Sequence, residues 1–341
     1  MQTEYEMAGV EAVGAADTVA AAKHTVVSRQ SRKVRGAWFE AGFAGISRAG
    51  AILLAATMTA VFVLLAYDSL PVFKTFGLSF ITGSSWNPVL EKYGALPSIA
   101  GTIITSFVAI LLGAPLALGV ALFLSELCPF GLRPILTTTI ELLAAIPSII
   151  YGMWGLFVLV PIMATVVQPR IIAWLGPLPL IGGFFAGPPF GIGILTAGMI
   201  LSVMILPFIA SVSLQAFATV PVALREAAYG TGASTWEVCR KIILPYTRNG
   251  VIGAIMLGLG RALGETMAVT FVIGNAHRIQ ASLFAPGTTI SASLANEFTE
   301  ATSAMYVNSL LALGLILFVI TFIVLVITRI LLHSINRNLP L

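Results

Sequence analysis

The chain has 341 residues, of which 58% are hydrophobic and 9% charged, with a net charge of +4. A soluble domain carries about 25% charged residues, so a water-exposed globular fold is excluded and a chain threaded repeatedly through a bilayer is implied. The isoelectric point near 9.2 does not mark a nucleic-acid binder, because the basic residues form no single patch and instead follow membrane topology.

The first 22 residues contain Glu4, Glu6, Glu11 and Asp17 and no apolar core, which is unlike a secretory signal. Their small-residue composition predicts a disordered tail. Lys23, Arg29, Arg32, Lys33 and Arg35 follow and suit a topology anchor near anionic lipid, so residues 1–45 are read as a cytoplasmic tail. Residues 49–67 hold no charge and are long enough to span a bilayer. Residues 68–96 carry Lys74, Glu91, Lys92 and a turn-prone Ser84-Ser85-Trp86-Asn87-Pro88, and are expected to form an extracytoplasmic loop with short structure.

A second span enters at Pro97 and carries Pro115, a candidate kink, with a short connection over 126–133. The third is expected over 134–161, enclosing Glu141. Residues 162–189, rich in proline, glycine and aromatics, are expected to form a hairpin or re-entrant piece. Further spans are predicted over 191–217, 249–275 and 307–328, with a polar stretch at 218–248 and a tail at 334–341. The transmembrane domain is thus 46–333. Placing the residues before 49, those after 328 and the 126–133 and 218–248 loops in the cytoplasm puts 13 Lys and Arg inside against four outside, with Arg261 left within a span. That asymmetry predicts an all-α, six-helix, multi-pass protein of the plasma membrane with both termini cytoplasmic.

Cys128 and Cys239 fall on the inner side, where thiols stay reduced. His24, His277 and His333 are scattered and give no metal-ligand spacing. No H-E-x-x-H, G-x-S-x-G or Walker sequence is present, so neither a hydrolase nor ATP binding by this chain is expected. The glycines of GLGRALG have the wrong spacing for a dinucleotide fingerprint and read as helix-packing residues.

Arg261 is the informative charge. Charge at membrane depth costs roughly 2.5–3.5 kcal/mol and marks a pathway or a buried partner, and a guanidinium fork suits an oxyanion. Counted from Asn249, Arg261 lies about 18 Å along the helix, near the midplane. Glu265, four residues on, falls on the same helical face. Two readings follow: Arg261 binds a passing anion while Glu265 orients it and prevents permanent capture, or the two form a structural pair. Glu141 pairs with a partner's arginine, lines a gate, or accepts hydrogen bonds from a neighbouring helix.

The 218–248 loop reads as helix–turn–helix. Pro221 opens a first short helix, Gly230 or Gly232 closes it, and Ser234-x-x-Glu237 has capping-box spacing for a second that Pro245 ends or kinks. Glu226, Ala227, Ala228, Gly232, Ile242, Leu244 and Pro245 match the spacing EAA-x3-G-x9-I-x-LP and resemble the EAA loop of bacterial ABC-importer permeases. REAAYG, ELLAAIPSIIYGMWG, SASLANEFTEA and the long run around Arg261 extend the likeness to the PstC-type permeases of phosphate-specific importers, over roughly residues 46–331.

The resemblance implies a type I ABC importer permease fold and an EAA loop that docks into an ATPase subunit. It implies transport roles for Arg261 and Glu265. It also implies an assembly with a PstA-like permease, two PstB-like ATPases and a PstS-like phosphate-binding protein. ATP and magnesium would be held by the ATPases, and this chain would carry no cofactor. Sulfate or molybdate as substrate, or a gradient-driven anion carrier, are the alternatives.

Overall fold

The computed structural model describes residues 40, 42–179 and 182–337. Apart from one isolated bridge between Asn87 and Lys92, the regular structure among them is helical. Among the described residues, six helices are long and apolar enough to cross a membrane: α1 (Gly42–Phe76), α2 (Leu96–Leu127), α4 (Ser148–Leu175), α5 (Ile194–Ala218), α7 (Thr235–Leu263) and α10 (Ala304–Arg337). Between them lie α3 (Arg133–Ala145), α6 (Val222–Gly230), the single turn α8 (Met267–Thr270) and α9 (Ile290–Glu297). The described chain up to Leu64 forms one unit and the chain from Leu65 another. The reading of residues 1–39 as a disordered tail lies outside the described residues.

Several boundaries differ from the sequence reading. The first helix begins by Gly42 and runs on to Phe76, so Asp68 and Lys74 are helical rather than in a loop. The expected third span is two helices: α3 stops at Ala145, Ile146 is extended, and α4 begins at Ser148 after Pro147. Glu141 therefore belongs to the 13-residue α3 and not to a span. Residues 162–175 continue α4 instead of forming a hairpin. Finally, α7 starts at Thr235 and ends at Leu263, so the second helix of the EAA loop and the fifth span are one helix.

Proline accounts for several of these differences. Among the described residues four π turns occur, at Phe123–Leu127, Gly155–Leu159, Met163–Val167 and Cys239–Ile243. Each is followed, one residue later, by a proline: Pro129, Pro161, Pro169 and Pro245. The residue before each proline donates its N–H five residues back, as Leu244 does to Cys239. A proline ring clashes with the carbonyl four residues earlier and offers no N–H of its own. Widening the preceding turn relieves the clash, so Pro161, Pro169 and Pro245 are absorbed without ending a helix.

In the unit beginning at Leu65, α5 is the central element. Ile200, Leu201, Met204, Ile205 and Ile209 are each at most 1% exposed. Burial this extensive is what an apolar helix without a polar face achieves inside a bundle, although Val203 stays 42% exposed. Glycines bring α2 against it: a Cβ on Gly198 would meet Val108, and one on Gly113 would meet the Ser202 carbonyl. At the far end of α2, Gly101 touches the backbone of residue 288, where a Cβ would stand 1.9 Å from the Thr288 oxygen. The Thr102 hydroxyl accepts the Ile290 N–H at 2.9 Å beside it. Backbone cannot yield as a flexible side chain does, so Gly101→Ala is expected to cost about 3 kcal/mol. Thermal unfolding of the purified protein in detergent checks this; an unchanged midpoint would contradict it.

Candidate translocation site and coupling surface

Arg261 lies in the last turn of α7. Helices α5 and α7 run antiparallel, and two close approaches set their register: a Cβ on Gly250 would meet Ala216, and one on Gly258 would meet Ile209, each at 2.6 Å. Continuing that register brings Arg261 beside the turn 206–208, about 18 Å from either end of α5 at 1.5 Å per residue. The contact is present: the Arg261 guanidinium carbon lies 5.8 Å from the Phe208 ring centroid. The arginine is therefore at the middle of the bundle, as its position along the span predicted.

The helix stops there. Gly264 closes α7, and residues 264–266 are not helical before the one-turn α8. Irregular backbone at membrane depth is tolerated only where protein or a watered cavity satisfies it. Here the Gly193 N–H donates to Val272 O and the Gly287 N–H to Ile273 O, both at 3.0 Å, and Ala276 N–H donates to Gly287 O at 2.9 Å. On α4, Gly152 admits α8 at close range, since a Cβ would stand 2.9 Å from the Ala268 Cα.

This break changes the expected partnership of Arg261 and Glu265. They do not share a helical face and form no ion pair, because α7 ends at Leu263 before Glu265 is reached. Glu265 instead accepts the Ala268 N–H at 3.1 Å, at the start of α8. Each charge sits at the helix end whose backbone favours it, the cation at a C-terminus and the anion at an N-terminus. Arg261 Nε is buried without a hydrogen-bond partner, a state that costs free energy unless a ligand meets it.

Glu141 is not brought to this pair. It is exposed on α3, while the adjacent Ile140 packs into the main core around α5. Two residues that the sequence did not single out do belong here. Phe208 covers the guanidinium. Tyr151, within electrostatic range of Arg261, donates its hydroxyl to Leu143 O at 2.8 Å and ties α3 to α4 across their break. Neither carries a charge by which it would stand out.

At one end of the bundle, α6 and the start of α7 form the helix–turn–helix read from the sequence. Ser234 and Glu237 make the capping box. Gly232 has φ of +83°, with its N–H bonded to Tyr229 O and the Ala233 N–H to Ala228 O. That is a Schellman closure, whose left-handed residue favours glycine. Ile242 and Leu244 pack against a core of Phe217, Val220, Val238 and Ile243, whereas Pro245 is exposed. Glu226 and Ala227 are exposed and Ala228 half-buried, and Glu226 makes no hydrogen bond or ion pair among the described residues. Val222 and Tyr229 on the same helix and Trp236 on the next are 66%, 41% and 65% exposed.

At the opposite end, Glu297 gathers three groups. It accepts hydrogen bonds from Trp86 Nε1 and the Tyr306 hydroxyl at 2.7 Å and meets His277 Nε2 at 2.5 Å. Trp86 stacks on His277, and both line a cavity of about 640 Å³ with Phe190, Arg278 and Pro286. Burial opposes the Glu297 charge, but the bonds from His277, Tyr306 and Trp86 outweigh it and hold the carboxyl below its ordinary value. A depressed acid stabilises fully above its unfolded pKa, and the contribution is lost as pH falls through the depressed folded value. Glu297→Gln should therefore weaken this end at neutral pH and flatten its loss of stability on acidification below about pH 4.5. Emission from Trp86 in a variant retaining only that tryptophan follows both; matching acid profiles would overturn the assignment.

Comparison with known proteins agrees with this architecture. Residues 129–337 match the family model described as binding-protein-dependent transport system inner membrane component. The phosphate transport system permease protein PstC of Mesorhizobium japonicum is 57% identical, over 91% of this chain and 95% of its own length. PstC of Pasteurella multocida is 54% identical, over 84% and 88%. Among solved structures, the MetNI methionine ABC transporter in an inward-facing conformation matches with a TM-score of 0.53 and 18% identity, over 70% of this chain and 94% of that one. A bacterial alginate ABC transporter, solved with its alginate-bound periplasmic protein, matches with a TM-score of 0.51 and 19% identity, over 81% and 92%. The fold is that of type I ABC importer permeases, and the chain belongs to the PstC family of inner-membrane transport permeases.

Proposed function

We propose that the chain is the permease subunit of an ATP-driven importer of inorganic phosphate, forming half of the pathway. The observation that carries this is Arg261, a guanidinium with an unmet buried Nε–H at the middle of the bundle, where α7 breaks. Such a group binds a tetrahedral oxyanion by paired charge-assisted hydrogen bonds. Phosphate is favoured over sulfate and molybdate because the relatives are phosphate permeases. In this reading Glu265, held by α8 and not by Arg261, keeps the net charge of the break near neutral, so a bound anion is not trapped.

The pathway needs a second wall. Gly253 and Gly260 on α7 have open space where a Cβ would be, and Leu257 between them is 54% exposed. This face suits close packing by a PstA-like permease. Of two PstB-like ATPases, holding ATP and magnesium, one would dock on the face of α6 that bears Glu226, and a PstS-like protein would deliver phosphate at the opposite end. Both termini are then cytoplasmic, on the side of the EAA loop. Glu141, on α3 near the same end, is kept as a candidate contact to the partner permease.

Proteoliposomes containing the full complex test the reading. ATP-dependent uptake of labelled phosphate, resistant to excess sulfate or molybdate, is the expected result. Equal competition by those anions would point to another oxyanion permease, and uptake without the ATPase subunits to a gradient-driven carrier.

A further inference from the structure

Glu126 closes α2 at the end that carries the EAA loop. Sequence position makes it a boundary carboxylate, of the kind that ordinarily reaches for water. It does not: its side chain is only 5% exposed and pairs with Arg225 at 2.7 Å, itself 19% exposed. The Ser125 hydroxyl donates to the same oxygen at 2.7 Å, and the Tyr229 hydroxyl to the other at 3.3 Å. A second arm of the Arg225 guanidinium donates to the Phe217 carbonyl in the last turns of α5. One arginine on α6, directly before the EAA residues, thus holds the ends of α2 and α5 together. The π turn before Pro129 lies at this spot and includes Glu126.

A buried ion pair is a weak source of stability, because desolvation offsets most of the attraction. Apolar contacts already seat this loop, through Ala121, Phe217, Val220 and Val238. What they lack is direction: apolar surfaces slide, whereas a hydrogen-bonded charge pair fixes register. Beyond the pair, α2 lies along α5 through the close approaches at Gly113 and Gly198. On α5, Phe208 rests against Arg261. A continuous set of packed elements therefore joins the face bearing Glu226 to the guanidinium at mid-bundle.

We propose that Glu126 is a positioning residue for energy coupling: its buried carboxylate, held by Arg225, locks α6 to the end of α2, so that displacement of α6 moves the α2–α5 pair and with it the surroundings of Arg261. The proposal rests on the reading of α6 as the ATPase contact. It differs from a role in docking, since neither Glu126 nor the bonded arms of Arg225 face outward.

The test uses the reconstituted complex with its ATPase and binding protein, and reads phosphate transported per ATP hydrolysed. Glu126→Gln removes the charge and keeps the shape. ATP hydrolysis should stay within about twofold of the parent while phosphate per ATP falls about tenfold or more, since removing one partner strands the other buried charge. Arg225→Gln should do the same, and the two substitutions together should lose no more than either alone. Normal stoichiometry in Glu126→Gln overturns the proposal. So does a loss that merely follows complex yield, or losses that add in the double variant.

A second readout is independent of the anion. Nitroxides on Ala223→Cys and Leu127→Cys, with Cys128 and Cys239 replaced by serine, report the distance across the latch. It should not change on ATP binding in the parent and should change in Glu126→Gln. An ATP-dependent change in the parent overturns the latch. If the parent carries no phosphate, the assigned substrate fails, yet this distance still decides whether α6 and α2 move as one body.

Discussion

Arg261→Gln is expected to abolish phosphate uptake while the complex assembles and its ATPase still responds to the loaded binding protein. Hydrogen bonds to a charged group contribute roughly 1.5–3 kcal/mol each, and a guanidinium offers two to one oxyanion. Losing both predicts a fall of more than about 100-fold in transport. Glutamine keeps much of the side-chain length and removes the charge. Its effect on stability should be small, because in this structure the guanidinium makes no hydrogen bond through Nε and no ion pair with Glu265. Arg261→Lys should rescue little, since a point charge does not reproduce the planar fork. Uptake at a tenth of the parent rate or better by Arg261→Gln would remove Arg261 from the anion's path.

That prediction also separates the two roles left open by residue spacing. A structural pair predicts that Glu265→Gln and Arg261→Gln destabilise alike. The break at residues 264–266 predicts otherwise: Glu265→Gln loosens the start of α8, where the carboxylate meets the Ala268 N–H, while Arg261→Gln acts on transport alone.

The depth of Arg261 was legible because it follows from counting residues along an apolar run. The capping box at Ser234 and the left-handed turn at Gly232 were legible too, since both are local chemistry. The end of α7 at Leu263 was not. Residues 264–275 read as the rest of a span because Ala268, Val269, Val272 and Ile273 are buried in the core they share with α4 and α5, not because they continue a helix. Composition reports burial and cannot distinguish the two. Pro161 and Pro245 failed as stop signals for a related reason: a π turn upstream spares the clash, and nothing in a single sequence announces it. Glu126 stayed hidden because its partner lies 99 residues away.

Glu226→Lys is expected to separate ATP hydrolysis from transport by weakening the hold of the ATPase on α6. The helix has no fully buried residue of its own, so its outward face is available to a partner. Glu226 stands on that face without an internal hydrogen bond, and Val222 on the same helix and Trp236 on the next are exposed as well. A charge covered by a docked partner becomes desolvated, and breaking such a contact costs about 2–5 kcal/mol. Reversal adds repulsion, so at least a 30-fold loss of ATPase affinity is expected, by roughly 2 kcal/mol or more. Insertion and folding should be untouched, as the substituted side chain meets only water in the isolated subunit. The contrast with Glu126 is then diagnostic. Glu226→Lys should lose the ATPase from the purified complex, while Glu126→Gln keeps it bound and turning over without transport. Retention of the ATPase and normal stimulation by the binding protein in Glu226→Lys would show that the partner grips this loop elsewhere.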